Sequence, residues 1–212
     1  MPLSNFNGDT FVAFLDISGF KEMMKDDEKA IGALNHLYQT GFDVLKNQSF
    51  ECLIDGLFIS DCGVLFVKNT ELHLNQQLER LLEVIKSINK RLLQHDIMLT
   101  TSIAYGHFSY QEKIEFTGIE KNQVYGGAYV KAFFDNENGT PKIHPGQCRL
   151  VKESLPQEFK VANSFIREKG KYFYYYWNVE NSNEIDDFLN DYQNSYNLKY
   201  EGFKTALKKY SE

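Results

Sequence analysis

No run in this 212-residue chain approaches the roughly 18 consecutive apolar residues that a membrane-crossing helix needs, so no span is expected. Cysteine is scarce. Cys52, Cys62 and Cys148 form no CxxC pair and no zinc pattern, which leaves them as expected buried thiols and excludes a disulfide framework. Positive charge is in deficit, with 23 Lys and Arg against 29 Asp and Glu and a net charge of −6. That balance argues against general nucleic-acid binding, which wants a basic face, but not against a small anion held through a metal ion. The N-terminus, MPLSNFNGDT, lacks the charged-then-apolar pattern of a signal peptide, so a cytoplasmic protein is expected. No internal repeat and no low-complexity segment appears, and His36, His73, His95, His107 and His144 do not cluster in the sequence.

What is present is a good core in prospect: 42% of residues are hydrophobic and 15% aromatic. One domain over 1–212 is expected, with a core over about 10–180 and a helical extension over about 183–210. The chain is organised around Thr10 to Met24, TFVAFLDISGFKEMM. An apolar, β-prone run ends in one carboxylate, Asp16, turns at Ser18-Gly19 and opens a helix pattern. A strand end of this kind sets a carboxylate beside the free N–H groups of a helix start, a place suited to a divalent cation bridged to phosphates.

From Phe20 to Lys46 the apolar positions step by three or four, as two helices broken near Asp26-Asp27. Phe50 to Lys68 reads as two strands around a turn at Ser60-Asp61-Cys62-Gly63. Asp55-Gly56 is a competing turn, so Asp55 and Asp61 are alternatives for a second metal ligand; Asp61 is preferred because stronger strands flank it. Leu72 to Gln94 carries one apolar stripe and predicts a helix, and Ile97 to Gly106 predicts a strand. His107 to Lys121 reads as a loop or ragged hairpin. Val124 to Glu137 becomes helix-like after Gly126-Gly127, Gln147 to Val151 is extended, residues 154–170 are mixed, and Lys171 to Glu180 is an aromatic strand before a polar helix over Asn183 to Tyr210. The order predicts an α+β, ferredoxin-like (βαββαβ) core with extra C-terminal strands and helix, its sheet largely antiparallel with helices on one face.

In that layout Asp16 and Asp61, 61 − 16 = 45 residues apart, reach the same sheet edge. Two carboxylates holding two divalent ions about 3.5–4 Å apart suit in-line attack on phosphorus. The Ile17 carbonyl is a further candidate ligand, and the N–H groups of Ser18, Gly19 and Phe20 would cradle phosphate.

FLDISGF resembles the opening motif of the class III nucleotidyl cyclases, and ISDCGVLFV resembles their second motif, in which a Gly-Asp turn carries the second metal ligand and Ser60-Asp61 stands here. SIAYGHF and QVYGGAYVKAF resemble the strand and helix segments that follow. The resemblance covers roughly residues 10–145, in order. It departs where the family carries a transition-state Asn and Arg, since Val130 and Phe134 stand there, and where adenine is selected, since Leu57 and Gln123 stand there. GGAYVKAFFDNENGTPKI is similar to the stand-alone pyrimidine cyclases of Pycsar anti-phage systems, although the Arg often found six residues before the strand-ending Gly is Thr100 here.

The resemblance implies conversion of UTP or CTP to the 3′,5′-cyclic nucleotide plus pyrophosphate, with two Mn²⁺ or Mg²⁺ ions at Asp16, Ile17 and Asp61. It also implies a homodimer with active sites at the interface and a separate effector protein that reads the product. Lys142 or Arg149 would neutralise phosphate in place of the missing Asn and Arg. Leu57, Phe58, Thr100 and Gln123 would surround the base. An adenylyl or guanylyl cyclase with an unusual pocket, and a cyclase-like nucleotide-binding domain without catalysis, are the alternatives.

Overall fold

A computed structural model describes residues 5–48, 54–116 and 119–211. Strand β1 (Phe6–Ile17) is apolar at nearly every position from Phe11 to Leu15 because both its faces are covered. It pairs antiparallel with β3 (Cys62–Val67) on one side and β4 (Leu99–Phe116) on the other. With β2 (Ile54–Ile59) outside β3, the order β2-β3-β1-β4 is that of a ferredoxin-like core, and β6 (Cys148–Val151), β8 (Tyr172–Tyr175) and β7 (Ile166–Lys169) extend it.

Alternation along β1 divides the interior. Phe11, Ala13, Leu15 and Ile17 face α2 (Asp27–Lys46) and α3 (Leu74–Gln94), whose stripes of Leu, Ile and Val fill the larger core. Val12 and Phe14 face the other way, toward Ala128, Ala132, Tyr129 and Phe133 of α4 (Gly127–Asn138). Helices therefore cover both faces, not the one expected. The arrangement puts Asp16, in step with Val12 and Phe14, on the face of α4.

Other expectations shift for physical reasons. Residues 6–9 extend β1 because Phe6 to Asp9 pair with Tyr110 to His107 of β4. The ragged stretch after His107 is a two-stranded arm, β4 continuing to Phe116 and pairing with β5 (Ile119–Tyr125). The predicted break near Asp26 separates α1 (Phe20–Met23) from α2, whose first turn Asp26 caps by accepting from the Lys29 N–H. The single aromatic strand is shorter than read and pairs with β7, which lay in the stretch read as mixed. The terminal helix is two, α5 (Ile185–Asn194) and α6 (Lys199–Lys209). His36 and His95 do meet, their rings stacked 3.7 Å apart between α2 and the end of α3. Cys148 is buried as expected and Cys62 half-buried; Cys52 and the start of the incoming strand at 50–53 lie outside the described residues.

Candidate active site

Asp16 is the penultimate residue of β1, directly opposite Cys62 of β3 and Thr100 of β4. Asp61 sits in the two-residue turn that joins Ile59 to Cys62. Ser60 occupies the left-handed region there at φ 53°, the conformation that a glycine would adopt without strain. The turn is tied down because the Ile17 N–H donates to the Asp61 carbonyl at 3.0 Å. One backbone bond thus joins the two segments that carry the two carboxylates. Asp16, Asp61 and Cys62 offer ligand atoms that all lie within 4.8 Å of one another. Asp55, the alternative, instead faces Lys68 at 3.5 Å.

No cation among the described residues pairs with Asp16. Burial, then the charges of Asp61 and Glu137, push its carboxyl up to about 7. Burial, reinforced by Asp61, Asp16 and Glu137, likewise pushes the Cys62 thiol up to about 11, so it stays protonated at neutral pH and is a poor ligand. The usable donors are carboxylate oxygens whose mutual repulsion a hard divalent cation would relieve. Such a set fits Mg²⁺ or Mn²⁺.

The C-terminal turn of α4 frames this edge with three successive polar residues. Asp135 receives a bidentate grip from Arg149, Nε to Oδ2 at 2.8 Å and Nη2 to Oδ1 at 3.0 Å, and accepts from the Ser102 hydroxyl at 2.6 Å. Asn136 accepts from the Thr100 hydroxyl at 3.0 Å through Oδ1. With these two neighbours anchored, Glu137 is exposed and close enough to act electrostatically on Asp16. Glu137 was given no role by the sequence reading; the only signal for it is the run Asp135-Asn136-Glu137 closing an otherwise apolar helix.

The structure redistributes the remaining predicted residues. The Ser18 N–H donates to the Met98 carbonyl at 2.9 Å, so it is not available to a phosphate. Gly19, at φ 79°, and Phe20 open α1, where N–H groups have no intrahelical acceptor. Arg149 is fully buried, its guanidinium committed to Asp135 and to the Pro141 carbonyl (2.6 Å) and stacked 4.0 Å from the Tyr172 ring centre. It holds α4 to β6 and cannot reach out to phosphate. Lys142 is exposed in the α4–β6 connection. Leu57 packs on the Asp16 face, whereas Phe58 turns to the opposite core and fills the space that Gly41 leaves, where a Cβ would come within 2.3 Å of its Cζ. Thr100 spends its hydroxyl proton on Asn136. Gln123 pairs with Gln111, which is 111 − 100 = 11 residues along β4 from the partner of Asp16. At about 3.3 Å per residue that is about 36 Å, so one chain does not bring Gln123 to Asp16.

No protein-family model matches the chain, and no curated protein does. Solved structures do match. The catalytic core of a rhodopsin-guanylyl cyclase with converted specificity, in complex with ATPαS, superposes with a TM-score of 0.56 at 13% identity, over 82% of this chain and 99% of that one. The chain has the fold of a nucleotidyl cyclase catalytic domain. The guanylate cyclase domain of RhGC from Catenaria anguillulae, in complex with GTP, matches at 0.55 and 14% identity over 81% and 98%. The adenylyl cyclase CyaB from P. aeruginosa matches at 0.54 and 13% over 82% and 96%. At these identities the likeness is one of fold. Among the described residues no helix is long and apolar enough to cross a membrane.

Proposed function

We propose that this chain is a metal-dependent nucleotidyl cyclase that converts a pyrimidine nucleoside triphosphate, UTP before CTP, to its 3′,5′-cyclic monophosphate and pyrophosphate. The observation that carries the reading is the pair Asp16 and Asp61, held at one sheet edge without a protein cation and with Asp16 raised to about 7. Asp16 and Asp61 would hold Mn²⁺ or Mg²⁺, the Ile17 carbonyl being a candidate third oxygen. Divalent ions, when bound, favour ionisation of the attacking 3′-hydroxyl and neutralise the departing pyrophosphate.

The chain's own contribution is placement. Gly19 and Phe20 offer N–H groups to the triphosphate beside Asp16. Thr100–Asn136 and Asp135–Arg149 fix the end of α4 so that the carboxylates keep their spacing. Base recognition is assigned to two chains. Gln123 lies about 36 Å along the sheet from Asp16, and α4 presents Val130 and Phe134 to solvent at 45% and 56% exposure. A two-fold pair that covers those side chains would bring the arm of one copy to the carboxylates of the other. The GTP-bound and ATPαS-bound cyclase structures support a nucleotide ligand, and a non-canonical dimeric guanylyl cyclase domain of the RhoGC fusion protein from Blastocladiella emersonii supports pairing of such domains in general. The cyclic product would be a second messenger in anti-phage defence, read by a separate effector protein in the cytoplasm.

Purified protein is incubated with ATP, GTP, CTP and UTP separately, with Mn²⁺, and products are identified by chromatography and mass. A single cyclic pyrimidine is expected. A cyclic purine would discard the pyrimidine assignment, and no product with any of the four would discard turnover by the isolated chain.

A further inference from the structure

A cavity lies away from the two carboxylates, between the α4–β6 connection, the β7–β8 hairpin and α5, with a volume of about 880 Å³. Ligand-binding clefts span about 300–1,000 Å³, so a whole small molecule fits. Its lining combines three features. Tyrosine rings dominate the wall, with Tyr174 half-buried and Tyr196 exposed at the mouth. Lys142, Lys169 and Lys171 stand at the rim, and no carboxylate lines it, in a chain whose net charge is −6. None of the three lysines forms an ion pair among the described residues, unlike Lys152 just after β6, which pairs with Glu168 of the hairpin. Half-buried His144, also in the lining, is held below its usual range by burial and then by Lys142 and Arg149, which marks the same positive field.

The third feature is a donor without an acceptor. Asn178 lines the cavity at 1% exposure, and its Nδ2 has no hydrogen-bond partner among the described residues. A buried amide N–H left without an acceptor is costly, so a ligand acceptor there is favoured. Aromatic faces, an amide that reads a ring edge and cations at the mouth together define a planar, hydrogen-bonding anion.

We infer that this cavity is a binding site for a phosphorylated nucleoside, separate from the carboxylate edge, with the base against the tyrosines and Asn178 and the phosphate at Lys142, Lys169 and Lys171. Asp16 and Asp61 are not in the lining, so such a ligand sits apart from the proposed metal site. The inference does not rest on turnover.

The test uses the chain's one tryptophan. Trp177 is buried and donates its indole N–H to the Gly146 carbonyl at 2.7 Å, and Gly146 lines the cavity. Its fluorescence is followed, with calorimetry in parallel, as the four nucleoside 5′-monophosphates are added in the presence of a chelator. Expected is a saturable change with at least one of them. Uridine and inorganic phosphate alone should bind at least about tenfold more weakly, since each keeps only half of the contacts. Lys169→Glu with Lys171→Glu should weaken binding by about tenfold or more with the melting curve unchanged, because both lysines are exposed. Asp16→Asn should bind as the wild type does. Absence of saturable binding in the low millimolar range overturns the inference. So does binding that ignores the lysine reversals, inorganic phosphate binding as well as a nucleotide, or binding lost in Asp16→Asn.

Discussion

Asp135 and Asp16 are both sheltered carboxylates at the α4-facing side of the sheet, and they are treated in opposite ways. Asp135 faces Arg149 in two hydrogen bonds, with Ser102 as a third donor and Tyr172 beneath the guanidinium. Asp16 faces Asp61, Glu137 and a thiol that stays protonated. A chain that can satisfy one buried carboxylate so fully, yet leaves another among like charges, is assigning the second to something outside itself. Strained electrostatics of this kind is common at functional sites because a ligand relieves it. The paired carboxylate holds α4 to β6, and the unpaired one is the proposed metal ligand.

Removing the carboxylates should separate the two roles most sharply. Asp16→Asn or Asp61→Asn should reduce cyclase turnover by about a thousandfold or more, since a metal supplies several kcal/mol to such a reaction, while the circular dichroism spectrum is kept. Arg149→Met should do the reverse, destabilising the fold by about 3–5 kcal/mol in urea unfolding because Asp135 is left buried and unpaired. Asp135→Leu combined with Arg149→Met should recover much of that loss, which marks the pair as structural.

Acidity gives a smaller and graded contrast. The folded value for Asp16 is raised, to about 7, above an unfolded value of about 3.8. The native state therefore holds the extra proton between those values, so the contribution of Asp16 to metal-free stability is greatest below about pH 4 and is lost as pH rises to about 7, by up to about 3 kcal/mol after solvent screening. Thermal melts of metal-free protein across that range should show the decline, and Asp16→Asn should flatten it. Added Mn²⁺ should raise the melting temperature more at pH 8 than at pH 5. The smallest effect is at the turn: Ser60→Gly should stabilise the protein by up to about 1 kcal/mol, since it removes a left-handed side chain without touching Asp61.

Much of this was legible in the order of residues because the relevant signals are local. The run Phe11 to Leu15 announces a doubly buried strand, the stripe of α3 announces a core helix, and Asp16 and Asp61 stand where strand ends must come. What the sequence concealed depends on partners far along the chain. Nothing local distinguishes Arg149, bound to a carboxylate 14 residues earlier, from a solvent-facing arginine. Phe58 alternates like a pocket residue, and only Gly41 on α2 and Gly63 across the sheet show which core it fills. Glu137 gains meaning because Asp135 and Asn136 are anchored by β6 and β4. The tyrosine cavity is invisible in sequence because three separate segments build it, and its most telling group, Asn178, is known only by the partner it lacks.

The most direct measurement is a Mn²⁺ titration at pH 8 followed by electron paramagnetic resonance, which reads free ion, on the wild type, Asp16→Asn, Asp61→Asn and Asp55→Asn. Saturable Mn²⁺ uptake is expected for the wild type and Asp55→Asn, with a loss of at least about tenfold in affinity in each of the other two. Equal uptake by Asp16→Asn and the wild type, or none by the wild type, would contradict a metal site at the two carboxylates.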